Sequence, residues 1–223
     1  MHKITFLLCD NMLATSATLP FEMLRAAESA ARAKEGSQVE PVLIQTTSID
    51  KLPIKTSIGF SLLPDTELTD VDDSDIIYLP ALWRNPRPIV KKHPEILAWL
   101  RKAYENGAML SAVGTGCCFL AEAGLLNDKP ATTHWHYFDQ FQRDYPRVKL
   151  KRQYFITQAS NLYCSASVNA MADLTVHFVK RLYGEAIASV VERNFSHEIR
   201  RPYEKTSYFE GSTKQHPDEE IVQ

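Results

Sequence analysis

Apolar residues along this chain fall into two alternating kinds of stretch. Short continuous runs have strand length and no polar face: Lys3 to Cys9 (KITFLLC), Ile76 to Leu79 and Met109 to Val113, and Val39 to Gln45 reads as a further strand. Such runs predict strands covered on both faces in a parallel sheet. Between them lie segments with helical spacing. Phe21, Met23, Leu24, Ala27 and Ala31 make one stripe, with Pro20 expected in the first turn and Gly36 at the stop. Glu95, Ile96, Leu97, Trp99, Leu100, Ala103 and Tyr104 make a second, ended by Asn106-Gly107. Ile54 to Leu62 reads as edge-like strand material, Asp70 to Asp75 as a solvated acidic turn, and Trp83 to Pro88 as a Pro-rich crossing. Further on, a turn leads into Ala131 to His134, and Trp135 to Tyr145 reads as helical. Val148 to Gln158 and Leu162 to Ser165 each read as one strand. Ala170 to Leu182 is an amphipathic helix that resumes over Ala186 to Val191 past Gly184.

This alternation predicts an α/β fold, a three-layer doubly wound and mostly parallel sheet with helices on both faces. Ligands in such sheets bind where loops leave the carboxyl ends of the strands. Ala108 to Leu126 lies at one of these ends: a strand, a tight Gly114-Thr115-Gly116 turn, and a helix from Cys117 that Gly124 ends. That is the pattern of a nucleophile elbow, in which the first N–H groups of the helix point into a cleft. A Ser or Cys belongs at the apex of a working elbow; here the apex is Gly114.

Composition narrows the classes further. A chain of 223 residues, 44% hydrophobic, is long enough for one large domain with a substantial core. With 25 basic and 27 acidic residues, the net charge of −2 supplies no overall field toward nucleic acid or an anionic membrane. The apolar run before Asp10 is too short for a signal peptide or membrane span, so a cytoplasmic location is expected. Cys9, Cys117, Cys118 and Cys164 lack metal-ligand spacing, so neither a metal, a cofactor nor a disulfide scaffold is expected. The character changes near Asn194. Residues 1–193 are expected to form the domain and 194–223 a polar tail or linker, with Pro217 to Val222 reading as the start of a helix that is cut off.

Gly114-Thr115-Gly116, then Phe119-Leu120-Ala121-Glu122-Ala123-Gly124-Leu125-Leu126, then Ala131-Thr132-Thr133-His134-Trp135 resembles the central signature of the ThiJ/PfpI superfamily. The order and spacing are most similar to the N-terminal regulatory domain of a branch of AraC-family transcription regulators. Pro20-Phe21-Glu22 and Ser165-Ala166-Ser167 to Asp173-Leu174 also resemble segments of that branch. The resemblance implies a flavodoxin-like, class I glutamine amidotransferase-like fold followed by helix-turn-helix units that read DNA, so DNA contact is expected only through a domain beyond this chain. It also implies three reactive-site elements in enzymatic relatives. The apex Cys falls on Gly114, the acidic residue of the first loop on Ser16, and the glycine pair after the middle strand on Ala81 and Leu82. Only His134 is retained.

Two readings follow. The first is a non-catalytic, dimerising sensor for a small-molecule effector, its pocket formed by Ser16, Leu82, Trp83, Gly114, Thr115, Gly116, Cys117, His134 and Trp135. Relatives that sense nitrogen-containing metabolites make that a candidate class of effector. The second is a hydrolase, amidase or glyoxalase-like enzyme that uses Cys117 as a displaced nucleophile with His134, since a thiol at a helix start can have its pKa lowered. Against it, and preferred, is the reading of Cys117 and Cys118 as small helix residues packed on the sheet. His136 and Glu22 are expected to be structural and Asp173 to cap or anchor a helix. A third reading is a ligand-free scaffold that acts through self-association.

Overall fold

The structure, a computed structural model, describes residues 2–36, 39–71 and 73–195. Among the described residues seven strands form the main sheet in the order β10-β11-β7-β6-β1-β2-β5. They are β1 (His2–Leu7), β2 (Val42–Ser48), β5 (Thr66–Glu67), β6 (Ile76–Leu79), β7 (Met109–Val113), β10 (Ile156–Ala159) and β11 (Leu162–Ser165). All neighbours pair in parallel except β10 with β11. The chain builds outward from β1 through β2 to β5, then returns to the other side of β1 with β6, β7 and β11. This reversal is the topological switch of a doubly wound sheet. Continuous apolar runs mark the interior strands for a physical reason: all four residues of β6 and the last four of β1 and β7 are buried.

The helices are α1 (Thr15–Glu35), α2 (Arg87–Lys92), α3 (Pro94–Glu105), α4 (Cys117–Glu122), α5 (Phe138–Asp144) and α6 (Val168–Phe195), with 3-10 turns at Gly114–Gly116 and Trp135–Tyr137. α1 and α6 pack on each other. Aromatic contacts join α6 to the sheet: Phe6 stacks on Tyr78 at 4.6 Å, Phe178 meets Tyr78 edge-on at 6.0 Å, and the Tyr78 hydroxyl shares a hydrogen bond with Thr175. Leu100, Leu120 and Phe141 are fully buried on α3, α4 and α5.

Several expectations are corrected. α1 begins at Thr15, so Pro20 lies inside the helix and leaves the Ser16 carbonyl without its usual N–H donor. β2 starts at Val42 rather than Val39. Ile54 to Leu62 is no single strand; β3 (Ile54–Lys55) and β4 (Ser61–Leu62) form a separate antiparallel hairpin, and the sheet edge falls to β5. Val148 to Gln158 splits into β9 (Lys149–Leu150), which pairs with β8 (Pro130–Ala131), and β10, because the chain leaves one partner for another between them. The Pro-rich crossing turns into α2 at Arg87. α6 reaches Phe195, bending at Gly184. The cut-off helix start at Pro217 to Val222 lies outside the described residues.

Candidate functional site

The interior strand β7 ends at Val113, and the next residue reverses the chain. Gly114 has φ +53°, a left-handed conformation that glycine enters without the penalty of a Cβ. A Cβ built there would meet Ala81 and His134 at 3.6 Å, ordinary contact distance, so the apex has room for a small side chain that this sequence does not supply. Gly116 is glycine for a different reason. A Cβ there would lie 2.4 Å from the Pro80 carbonyl oxygen, because the turn after β7 crosses directly against the loop after β6.

Hydroxyl groups tie the elbow to its neighbours. The Leu82 N–H donates to Thr115 Oγ1 at 2.8 Å, and that hydroxyl donates to the Leu82 carbonyl at 2.6 Å. Thr133 Oγ1 donates to the Gly114 carbonyl at 2.8 Å. Ser16 Oγ donates to the Leu13 carbonyl at 2.5 Å and accepts from the Ala81 N–H at 3.1 Å. The backbone amides of Ala81 and Leu82 are therefore both engaged by side-chain oxygens within the fold, and neither is left for an oxyanion.

Above this framework lies a cavity of about 370 Å³ with predominantly apolar walls. Its lining comes from the loops that follow β1, β6, β7 and β11 and from the Trp135–Tyr137 turn, so it sits at the carboxyl edge of the sheet. Of the residues expected from the sequence, Leu82, Trp83, Gly114, Thr115, His134 and Trp135 line it. Ser16, Gly116 and Cys117 do not; they lie behind the wall. Ser16 is 1% exposed and spends its hydroxyl on the backbone. Cys117 points into the core, where its Sγ lies 3.7 Å from the Ala112 carbonyl oxygen. Burial first, and then the neighbouring Cys164, push its thiol pKa well above the ordinary value. The helix start on which the alternative, enzymatic reading relies to activate this thiol is thus outweighed by desolvation.

Other lining residues escaped the sequence reading. Leu13 and Arg84 come from loops without local pattern, Ala166 and Ser167 from the segment that leads into α6, and Val168 from the first turn of that helix. His136, expected to be structural, lines the cavity as well. Its backbone N–H donates to His134 Nδ1 at 3.4 Å, which puts the ring proton of a neutral His134 on Nε2. Partial burial, then the charge of His136, lower the His134 pKa below 6.5. Tyr137 continues the wall inward and donates its hydroxyl to Asp144, which Arg87 of α2 also pairs at 3.0 Å. That pair braces the two loop regions that carry Trp83 and Trp135. Among the described residues no cluster of ligand-type side chains could hold a metal ion, and no helix is long and apolar enough to cross a membrane.

Fold and site together define a flavodoxin-like α/β domain with an elbow at the carboxyl edge of an interior strand and a cavity over its apex. The chain belongs to the DJ-1/PfpI family, whose profile matches residues 2–181. It is 32% identical over 148 residues to the HTH-type transcriptional regulator CdhR of Pseudomonas aeruginosa, covering 66% of this chain and 43% of that protein. It is 27% identical over 197 residues to the HTH-type transcriptional regulator GbdR of the same species, covering 88% and 51%. The chain thus spans about half the length of these regulators. The crystal structure of an AraC family transcriptional regulator from Pseudomonas putida shares the fold, with a TM-score of 0.72 at 23% identity over 88% of this chain and all of that one. The family also contains enzymes: isonitrile hydratase of Pseudomonas putida is 24% identical over 205 residues, covering 92% of this chain and 82% of the enzyme.

Proposed function

We propose that this domain is the non-catalytic, dimerising sensor of an AraC-type transcription regulator in the cytoplasm, and that a small-molecule effector binds in the cavity over Gly114. DNA is then read by a separate helix-turn-helix domain, and no membrane is involved. One observation carries the reading: a ligand-sized apolar cavity opens onto an apex with no side chain, while all four cysteines are buried. The engaged amides of Ala81 and Leu82 add to it. The similarity to helix-turn-helix regulators supplies the biological setting.

The similarity to isonitrile hydratase keeps the enzymatic reading, with Cys117 and His134, open to test. Thiol labelling separates the two. The sensor reading expects Cys117 to react with iodoacetamide far more slowly than a free thiol in the native protein. Rapid labelling, together with a hydrolytic or hydratase activity that Cys117→Ala abolishes, would replace it with the enzyme. The sensor reading itself is tested by a thermal-shift screen against metabolites, in which Gly114→Trp fills the cavity and removes any shift. Binding that survives that change in a folded variant places the site elsewhere.

A further inference from the structure

Charge around the elbow cavity is one-sided. The described residues that line it include no Asp, Glu or Lys; the fixed charge is Arg84, accompanied by His134 and His136. Several guanidinium groups of the domain are held by carboxylates. Arg87 is paired with Asp144, Arg147 with Asp128 and Arg152 with Asp139. Among the described residues Arg84 has no carboxylate partner; its Cζ lies 5.9 Å from the centroid of the Trp83 ring. A guanidinium laid over an indole keeps the N–H donors at its edge available for a planar anion.

The backbone beneath Arg84 is held in place. Its φ is +58°, a left-handed conformation that a side-chain-bearing residue adopts only under constraint. Four hydrogen bonds on the two preceding residues enforce it. Thr115 Oγ1 engages both the N–H and the carbonyl of Leu82. The Trp83 N–H donates to the Asn11 carbonyl at 2.9 Å, and Asn11 Nδ2 donates to the Trp83 carbonyl at 3.0 Å. A strained residue that its surroundings over-determine is a pre-organised one. Ser167 and Val168 contribute the N-terminal end of the long helix α6 to the same wall, and the field of a helix start also favours negative charge.

We infer that the effector is an anion, a small carboxylate with a compact apolar or aromatic body. Its carboxylate pairs with Arg84, and its body rests against Leu13, Trp83 and Trp135. This deepens the sensor reading and rests on it. An ionised carboxylate loses hydration on entering an apolar cavity, and a two-pronged contact with a guanidinium offsets that loss. A cationic ligand would meet the guanidinium with no carboxylate in the wall to compensate.

Titration calorimetry with three probes of nearly equal shape tests the inference: phenylacetate, its neutral amide phenylacetamide, and the cation 2-phenylethylammonium. Phenylacetate should bind at least about tenfold more tightly than phenylacetamide, the advantage expected of hydrogen bonds to a charged group. The cation should bind most weakly. Arg84→Gly suits the left-handed backbone, so the variant should fold; it should bring phenylacetate down to the affinity of the amide, and Arg84→Lys should restore part of the difference. The inference is overturned if phenylacetate fails to bind at millimolar concentration, if the wild type does not prefer it to the amide or the cation, or if the preference persists in Arg84→Gly. Blocking variants separate this failure from that of the sensor reading. Equal binding of all three probes, abolished by Gly114→Trp and Val168→Trp, removes the anion and leaves the cavity. Phenylacetate binding that survives both variants, with native near-ultraviolet circular dichroism, removes the cavity.

Discussion

The two ends of the sheet carry cavities of nearly equal volume and opposite character. At the carboxyl end, about 370 Å³ is walled by apolar and aromatic side chains with one guanidinium. At the amino end, about 360 Å³ is bounded by His2, Asp73, Asp75, Asn106, Asn161 and Arg181 among others. The polar cavity looks richer in chemistry, yet most of its groups are spent on the fold. Asp75 accepts from the Lys3 N–H at 2.7 Å, Asn106 donates to Asp73 at 2.8 Å, and Asn161 donates to the Gly107 carbonyl at 2.9 Å. These side chains close the starts of β1, β6, β7 and β11, whose backbone groups have no further strand to meet. At the other end the backbone is closed from behind by Ser16, Thr115 and Thr133. The space in front stays apolar and open. Polar residues around a cavity therefore do not by themselves mark a site; it matters whether their hydrogen bonds are already committed.

This contrast can be broken at several points. The largest effect is expected from Gly116→Ala, whose Cβ would overlap the Pro80 carbonyl; urea denaturation should show a loss of about 3 kcal/mol or more, or no folded protein. Thr115→Val leaves both backbone groups of Leu82 without their hydroxyl partner and should cost about 2 kcal/mol in the same measurement. It should also loosen Arg84 and weaken phenylacetate binding. Cys117→Ala removes a buried sulfur that faces the core rather than the cavity; about 1 kcal/mol of stability should be lost with ligand affinity unchanged. An affinity change there would contradict the separation of Cys117 from the site. At the amino end, Asp75→Asn alters an ion that is half exposed and should change stability by about 1 kcal/mol or less, with no effect on binding at the carboxyl end.

The smallest effect concerns pH. Desolvation and then His136 hold the His134 pKa below 6.5, so an NMR titration of the ring should give a midpoint under that value. The sign is that of a base harder to protonate when folded. Just below pH 6.5 the unfolded chain binds more protons, so the native state loses stability as pH falls through that window and keeps it in full above. A midpoint above 6.5 would show a carboxylate facing the ring that the cavity wall does not contain.

Much of the fold was legible in contiguous residues. β6, β7, β11, α3 and the elbow fall where the apolar runs and glycines put them, because burial on both faces leaves no exposed position in a strand of four or five residues. Misreadings cluster where pairing partners change. Nothing local distinguishes β9 from β10, or sets the β3–β4 hairpin apart from the sheet edge, since each depends on a strand distant in sequence. Pro20 misled for a related reason: its usual place is the first turn, and α1 carries it deeper, with Ser16 and Ala17 already buried ahead of it.

The sequence by itself determined the layered α/β architecture, the elbow after Val113, and the lack of a side chain at its apex. Each is a property of neighbouring residues, carried by hydrophobic run length and by glycine. Only the tertiary structure decided which side of the elbow each group faces. It turned Cys117 into the core and Ser16 onto the backbone of Leu13 and Ala81, and it brought Arg84 to the cavity from a loop with no pattern of its own. Such orientations are fixed by hydrogen bonds between segments far apart in the chain, such as Thr115 to Leu82 and Trp83 to Asn11, and no local pattern records them.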